Sequence, residues 1–199
     1  MMKKSIVALA LAAAMMVTPA AAFADETEAA SGQTYSFTYD DIDESVYDGT
    51  WLSFVQGFDM YLPSDWNVID VTTIDGAEDA GITFMAQAPE ANADGVAWTV
   101  AVATIPDVTV DSVEQIQDEL SKDSTMTNLE QADVNGIGMV SFSIEKNNVE
   151  GVAFADDQGT LYTVQFSPIN DADFVPYETN MLVSISPSEA VETEAETEA

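Results

Sequence analysis

The chain has 199 residues and a formal net charge of −32, from 36 acidic side chains against four basic ones. It contains no His and no Cys, and its four basic residues are all Lys. The composition therefore excludes a Ser-His-Asp triad, a Cys nucleophile, a disulfide and the usual zinc ligands. Because contact with a phosphate backbone begins with Lys and Arg, it also excludes nucleic-acid binding and attachment to anionic lipid. Carboxylates still allow glycoside hydrolysis or calcium binding.

Residues 1–24 have the pattern of a secretory signal peptide, of an Ala-rich kind typical of bacteria. Two Lys precede an apolar run from Ile6 to Val17, and Ala22-Phe23-Ala24 offers a small-x-small cleavage site. The run is too short to cross a bilayer comfortably, which disfavours the alternative of an uncleaved anchor. We therefore predict cleavage after Ala24 and an extracellular protein with no lipid or transmembrane anchor. Since residues 1–24 hold two Lys and no acid, their removal leaves a charge of −34.

Composition divides the rest of the chain into three parts. Residues 25–33 are predicted to be an acidic linker, and residues 188–199 an acidic disordered tail, because neither segment can bury apolar surface. Residues 34–187 hold the apolar residues needed for a core and are predicted to form a single globular domain.

Alternation of apolar and polar residues predicts a series of short strands in this domain. Turn signals separate them, at Gln56-Gly57, Asp94-Gly95 and Asn135-Gly136. The short connections imply antiparallel pairing. Residues 100–103 are apolar on both faces, so their strand is expected to be central.

Two segments have helical periodicity. Val110–Lys122 places apolar residues on one stripe, with Asp111 and Glu114 as a capping pair at its start. A second helix is predicted over Phe174–Ser186, with Asp173 as its N-cap. The predicted fold class is α+β, a mostly antiparallel β-sheet with two or more helices packed on it.

The order of these elements resembles the PsbP-like superfamily over about residues 54–188. The cues are a strand that runs into Leu62-Pro63-Ser64-Asp65-Trp66, the turn glycine Gly136, a strand from Gly159 to Tyr162, and a C-terminal helix followed by Ser188. The resemblance implies an α/β/α sandwich and an accessory or docking role. It transfers no site residue to this chain.

Acidic residues suggest a calcium site in more than one place. Glu90, Asn92, Asp94 and Gly95 echo the start of an EF-hand loop, but position 12 is Ala101 where a bidentate Glu is needed. A hairpin turn is the better interpretation there. A second acidic segment has more carboxyl groups close together in sequence and is the better candidate for a hard cation. It consists of Asp40, Asp41, Asp43, Glu44 and Asp48. A solvated loop remains the alternative for these residues.

Half of the 18 aromatic residues lie between Tyr35 and Trp66. Most of them are expected to form the core faces of strands. Trp51 and Trp66 border turns, so these two are predicted to form a ligand surface.

Together these features predict a secreted, non-enzymatic accessory or binding module. Its partner would be a neutral or cationic protein or glycan, with no contact to nucleic acid or, after signal cleavage, to a membrane. Two alternatives stay open, an extracellular glycan hydrolase that uses Asp or Glu and a calcium-dependent extracellular module.

Overall fold

The structure, a computed structural model, describes residues 35–37 and 41–188. The predicted signal peptide, the linker of residues 25–33, Asp40, and all of the predicted tail except Ser188 lie outside the described residues. Within the described part, no helix is both long enough and apolar enough to span a membrane.

The described residues form strands and two α-helices, joined mostly by short turns. The strands are β1 (Tyr35–Phe37), β2 (Gly49–Phe54), β3 (Phe58–Pro63), β4 (Asn67–Val68), β5 (Ile82–Ala91), β6 (Ala97–Thr109), β7 (Thr127–Val134), β8 (Ile137–Ile144), β9 (Val149–Ala155), β10 (Thr160–Ser167) and β11 (Ser186–Pro187). The helices are α1 (Val113–Leu120) and α2 (Val175–Ser184). Short 3-10 turns occur at Val71–Thr73 and Glu145–Asn147.

The strands form two sheets. The larger has eight strands in the order β1-β7-β8-β9-β10-β6-β5-β4, and the smaller has three in the order β11-β3-β2. Every described pair is antiparallel except β1 with β7. The predicted α+β class with a mostly antiparallel sheet is therefore confirmed. So is the central position of residues 100–103, since β6 pairs with β10 on one side and β5 on the other.

One face of the large sheet is covered by the small sheet and α2. Val152 of β9 is paired with Val164 of β10, so the two valines share one face of the large sheet. Side chains two positions apart in a strand point the same way, so Phe154 and Phe166 lie on that face too. The ring of Phe58 from β3 meets Phe154 edge to face at 5.1 Å between ring centroids. Phe174, at the start of α2, meets Phe166 in the same way at 6.5 Å.

The opposite face of the large sheet is covered by α1. Gly138 and Val140 of β8 point to this face, because Val140 lies opposite Ala153 and not Val152. Val113 of α1 sits so close to Gly138 that a Cβ on this glycine would lie 2.4 Å from Val113 Cγ2. The sheet thus has a helix on each face, as the sandwich arrangement requires.

The predicted turns are confirmed. Asn135 and Gly136 have φ values of 51° and 84°, which is the backbone of a type I′ hairpin turn between β7 and β8. In the turn between β5 and β6, Asn92 Oδ1 accepts hydrogen bonds from the backbone N–H groups of Asp94 and Val96. The segment that echoes an EF-hand is therefore a hairpin turn.

Both helices are shorter at each end than predicted, and α1 ends at Leu120 and not at Lys122. The helix predicted from Val110 begins at Val113, because Val110 N–H is bonded to the carbonyl of Gly159, and its N-cap is Ser112 and not Asp111. The second helix begins at Val175, where no side chain caps it, so Asp173 is not its N-cap.

The second helix also ends at Ser184, two residues before the predicted end. Ser186 and Pro187 form β11 and pair with Asp59 and Phe58 of β3. The residue before a proline is pushed out of helical geometry, and the small sheet offers this segment a partner.

Candidate functional site

The predicted metal residues lie in an exposed loop before β2. Four of the five are described, and all four are exposed: Asp41, Asp43, Glu44 and Asp48. Asp43 Oδ1 accepts hydrogen bonds from Ser45 N at 2.9 Å and Ser45 Oγ at 2.6 Å, which lower the pKa of Asp43. Residues 35–37 and 41–188 contain no group of three or more acidic side chains placed to hold a metal ion. Because Asp40 lies outside these residues, the calcium site stays a prediction.

The two tryptophans predicted to form a ligand surface differ in exposure. Trp51 on β2 is 47% exposed, whereas Trp66, just after β3, is only 9% exposed. Each contacts another aromatic ring: Trp51 lies 5.5 Å from Tyr61, and Trp66 lies 6.1 Å from Phe174, between ring centroids.

A continuous series of aromatic contacts joins these two tryptophans, and we call it the aromatic ladder. Successive ring centroids lie 5.0 to 6.1 Å apart, within the range in which aromatic pairs attract. Its members in spatial order are Trp51, Tyr61, Tyr47, Tyr177, Trp98, Phe174 and Trp66. They come from both sheets, α2 and two connecting segments, so only the folded chain brings them together.

One end of the ladder lines a cleft of about 490 Å³, which we call the aromatic–acidic cleft. Its aromatic walls are Trp66, Trp98 and Tyr177. Three exposed carboxyl groups stand at its rim, on Asp65, Glu90 and Asp173. Neither of the two described Lys lines it. The cleft therefore combines aromatic surfaces with a negative potential that no local cation neutralises.

The Trp98 ring is fixed by a carboxylate behind the cleft wall. Trp98 Nε1 donates to Asp171 Oδ2 at 2.9 Å, and Asn92 Nδ2 donates to the same oxygen at 2.7 Å. Asp171 Oδ1 accepts from the backbone N–H of Asp173 at 3.0 Å. Partial burial acts to raise the pKa of Asp171, but the bonds from Asn92 and Trp98 leave it below its usual value. An ionised Asp171 thus holds two residues of the cleft in place.

Two buried glutamates lie near Asp171. Glu178 on α2 is 2% exposed, and its Oε1 has no hydrogen-bond partner among the described residues. Burial raises the pKa of Glu178 to about 9, and the nearby charges of Glu150 and Asp171 act in the same direction. Glu150 on β9 is 5% exposed, and burial raises its pKa to about 7 against the effect of a bond from the Asn170 backbone. We call Glu150, Asp171 and Glu178 the buried acid cluster.

The cluster was not predicted, although the sequence contains a signal for it. Glu178 follows Phe174 by four residues and precedes Met181 by three, so it falls inside the apolar stripe of its helix. Glu150 alternates with Val152 and Phe154 on the buried face of β9. A single acid at a core position of an apolar pattern was the sign of a buried carboxyl group.

Comparisons with known proteins add little to this picture. No family model and no curated protein matches the chain. Among solved structures it is similar to cyanobacterial PsbP (CyanoP) from Synechocystis sp. PCC 6803, with 12% sequence identity and a TM-score of 0.42. The match covers 70% of this chain and 92% of that chain. A likeness at this level assigns neither a site nor a function, and the PsbP-like resemblance stays a prediction.

Proposed function

We propose that the chain is a secreted, non-enzymatic binding module that holds a cationic group of its ligand in the aromatic–acidic cleft. The main support for the proposal is that one cleft is lined both by aromatic rings, of Trp66, Trp98 and Tyr177, and by carboxyl groups. Ammonium and guanidinium groups are the chemistry that such a site attracts, by cation–π contact with the rings and by charge at the rim.

The energetics favour a cation over a neutral ligand. A cation over the face of a Trp or Tyr ring gains roughly 0.5 to 2 kcal/mol, depending on how far it is desolvated. Acidic groups around the cleft add long-range attraction, which salt screens over about 10 Å at 0.1 M. Because Asp171 already fixes the Trp98 ring, little side-chain freedom is lost when the ligand binds.

The buried acid cluster argues for binding over carboxylate catalysis. A glycosidase needs one carboxyl group with a raised pKa in contact with its substrate. The two carboxyl groups with raised pKa values are Glu150 and Glu178, at 5% and 2% exposure. A glycan cannot reach either of them in this structure, so the hydrolase alternative gains no support.

Binding is tested by titrating the purified protein with three probes at 50 mM and 300 mM NaCl, followed by calorimetry. The probes are a Lys- and Arg-rich peptide, a Ser- and Gly-rich peptide of equal length, and spermidine. We expect the basic peptide to bind and the neutral one not to. Spermidine separates a site for any organic cation from one that needs a peptide.

The cleft is tested by two triple variants that change the charge equally. D65N/E90Q/D173N removes the rim carboxylates, and D75N/E78Q/D79N removes three exposed acids just before the opposite end of β5. We expect the first variant to bind the basic peptide roughly tenfold more weakly, which corresponds to about 1.4 kcal/mol of binding free energy. The second variant should bind it almost as tightly as wild type. Equal losses in both variants would mean general electrostatic attraction and would refute a specific cleft.

A further inference from the structure

The buried acid cluster has a role that binding of a cation does not explain. We propose that Glu150 and Glu178 form a pH-responsive element, in which ionisation of these two buried carboxyl groups as the pH rises loosens α2 from the large sheet and with it one wall of the aromatic–acidic cleft. The effect on stability needs no ligand. Only its consequence for binding rests on the proposed function.

The buried position of Glu178 favours the protonated, neutral form of its side chain. It shares the inward stripe of α2 with Phe174 and Met181, which are completely buried. Its Oε1 meets no donor in the described part of the chain. A carboxylate without hydrogen bonds is expensive to bury, and a neutral carboxyl group costs far less. The folded protein therefore holds a proton on Glu178 that the unfolded chain would release.

The charges around Glu178 add to this effect. Those that act on it come from two other elements, Glu150 on β9 and Asp171 in the loop before α2, and both are acidic. On α2 itself, the preceding residue Tyr177 belongs to the aromatic ladder. The described Lys residues, Lys122 and Lys146, are exposed and neither acts on Glu178. Ionisation of Glu178 would thus add a negative charge to a buried region that already holds the charge of Asp171 and, once Glu150 has ionised, that of Glu150 as well.

The direction of the pH effect follows from these pKa values. An unfolded glutamate has a pKa of 4.5, whereas burial raises that of Glu150 to about 7 and that of Glu178 to about 9. Between the unfolded and folded pKa values the native state binds more protons, so stability falls as pH rises. The contribution is fully present below pH 4.5 and is lost as pH passes through about 7 and then about 9.

The cluster is connected to the cleft through Asp171 and α2. Asp171 is the anchor of Trp98 and Asn92, and it is also one of the charges that a deprotonated Glu178 repels. Tyr177 lines the cleft and precedes Glu178 on the first turn of α2. Repulsion at Glu178 would therefore shift Tyr177 and disturb the anchor of Trp98, and we expect weaker binding of a cationic ligand at pH 9 than at pH 6.

The composition makes this pH range easy to interpret. The chain has no His and no Cys, the side chains that ordinarily titrate between pH 6 and 9. Among the residues that the structure describes, Glu150 and Glu178 are the carboxyl groups whose pKa values burial raises into this range.

The test is a series of thermal melts at pH 6, 7, 8 and 9 and constant ionic strength. The proteins are wild type, E150Q, E178Q and the control E130Q, in which an exposed glutamate of β7 is replaced. We expect the wild-type Tm to fall by roughly 5–15 °C from pH 6 to pH 9. The fall should be much smaller in E178Q, reduced in E150Q and unchanged in E130Q.

The proposal is overturned if the wild-type Tm is constant from pH 6 to pH 9, or if it falls as steeply in E150Q and E178Q as in E130Q. If the glutamine variants fold poorly, tryptophan fluorescence of the wild type decides, since Trp98 should become more exposed to water between pH 7 and 9. A fluorescence spectrum independent of pH would contradict the proposal. The basic peptide is then titrated at pH 6 and 9. Failure to bind at both pH values would refute the proposed function, and the melts alone would still decide on the pH-responsive element.

Discussion

The loop of residues 41–48 and the buried acid cluster both bring carboxyl groups together, but they do so in opposite surroundings. In the loop, Asp43 is exposed and accepts two hydrogen bonds from Ser45, which lower its pKa. In the cluster, Glu178 is almost completely buried, its Oε1 accepts no bond from any described residue, and burial raises its pKa to about 9.

The two regions show which acidic residues acquire unusual pKa values in a very acidic chain. The loop acids are neighbours in sequence and exposed, and a local turn supplies the hydrogen bonds that Asp43 accepts. The cluster acids come from β9, from the loop after β10 and from α2, and burial raises the pKa values of the two glutamates among them. Density of charge along the sequence therefore points to solvated surface, whereas one acid in an apolar stripe points to a group with unusual properties.

The largest effect is expected at Asp171. The variant D171N places an amide where Trp98 Nε1 and Asn92 Nδ2 now donate to a carboxylate. We expect a loss of about 1–3 kcal/mol in unfolding free energy by urea denaturation at pH 6, because a donor would face donors. The change also removes a negative charge near Glu178, so the pKa of Glu178 should fall. D173N, an exposed neighbour, should change stability much less, and equal losses would contradict the anchoring role of Asp171.

An intermediate effect is expected at Asn180, which ties the acidic loop to α2. This side chain is buried; its Nδ2 donates to Asp43 O at 2.7 Å and its Oδ1 accepts from Asp43 N at 2.9 Å. We expect N180A to cost about 1–2 kcal/mol by the same urea measurement. T179A, at the next position, is the control with a smaller expected loss. If N180A is as stable as wild type, the loop is not held by this amide.

The smallest effect is expected at the loop acids themselves. A lowered pKa means that Asp43 contributes stability above its ordinary pKa of 3.8, and that this contribution is lost as pH falls through the lower folded value. It is therefore constant between pH 6 and 9. We expect D43N to leave the slope of Tm against pH unchanged in that range, in contrast to E178Q. A changed slope would mean that the loop and the cluster are not independent.

Local patterns predicted most of the sheet. Alternation predicted a series of short antiparallel strands with residues 100–103 in a central one, and Asn135-Gly136 located a hairpin, because turn chemistry and strand periodicity are properties of adjacent residues. The start of α1 was misplaced because a hydrogen bond from Val110 N–H to the carbonyl of Gly159 holds the backbone there in an extended conformation. β11 was missed because its pairing with β3 joins residues more than 120 positions apart.

The candidate site was only partly predictable. Of the two tryptophans predicted to form a ligand surface, Trp66 lines the cleft, whereas Trp51 lies at the other end of the aromatic ladder. Trp98 and Tyr177 were not identified, since their contact joins β6 to α2 and depends on the fold. Nothing in the linear sequence places Asp171 against Trp98. The buried glutamates were predictable in principle, from the apolar patterns that surround each of them.

The account depends most directly on the protonation of Glu150 and Glu178, and one measurement tests it. Carbon-13 NMR of side-chain carboxyl groups, assigned with E150Q and E178Q, follows each group from pH 3 to pH 10. We predict midpoints near 7 for Glu150 and near 9 for Glu178. Midpoints near 4.5 for both buried residues would contradict the account, because the cluster would then be ionised at neutral pH.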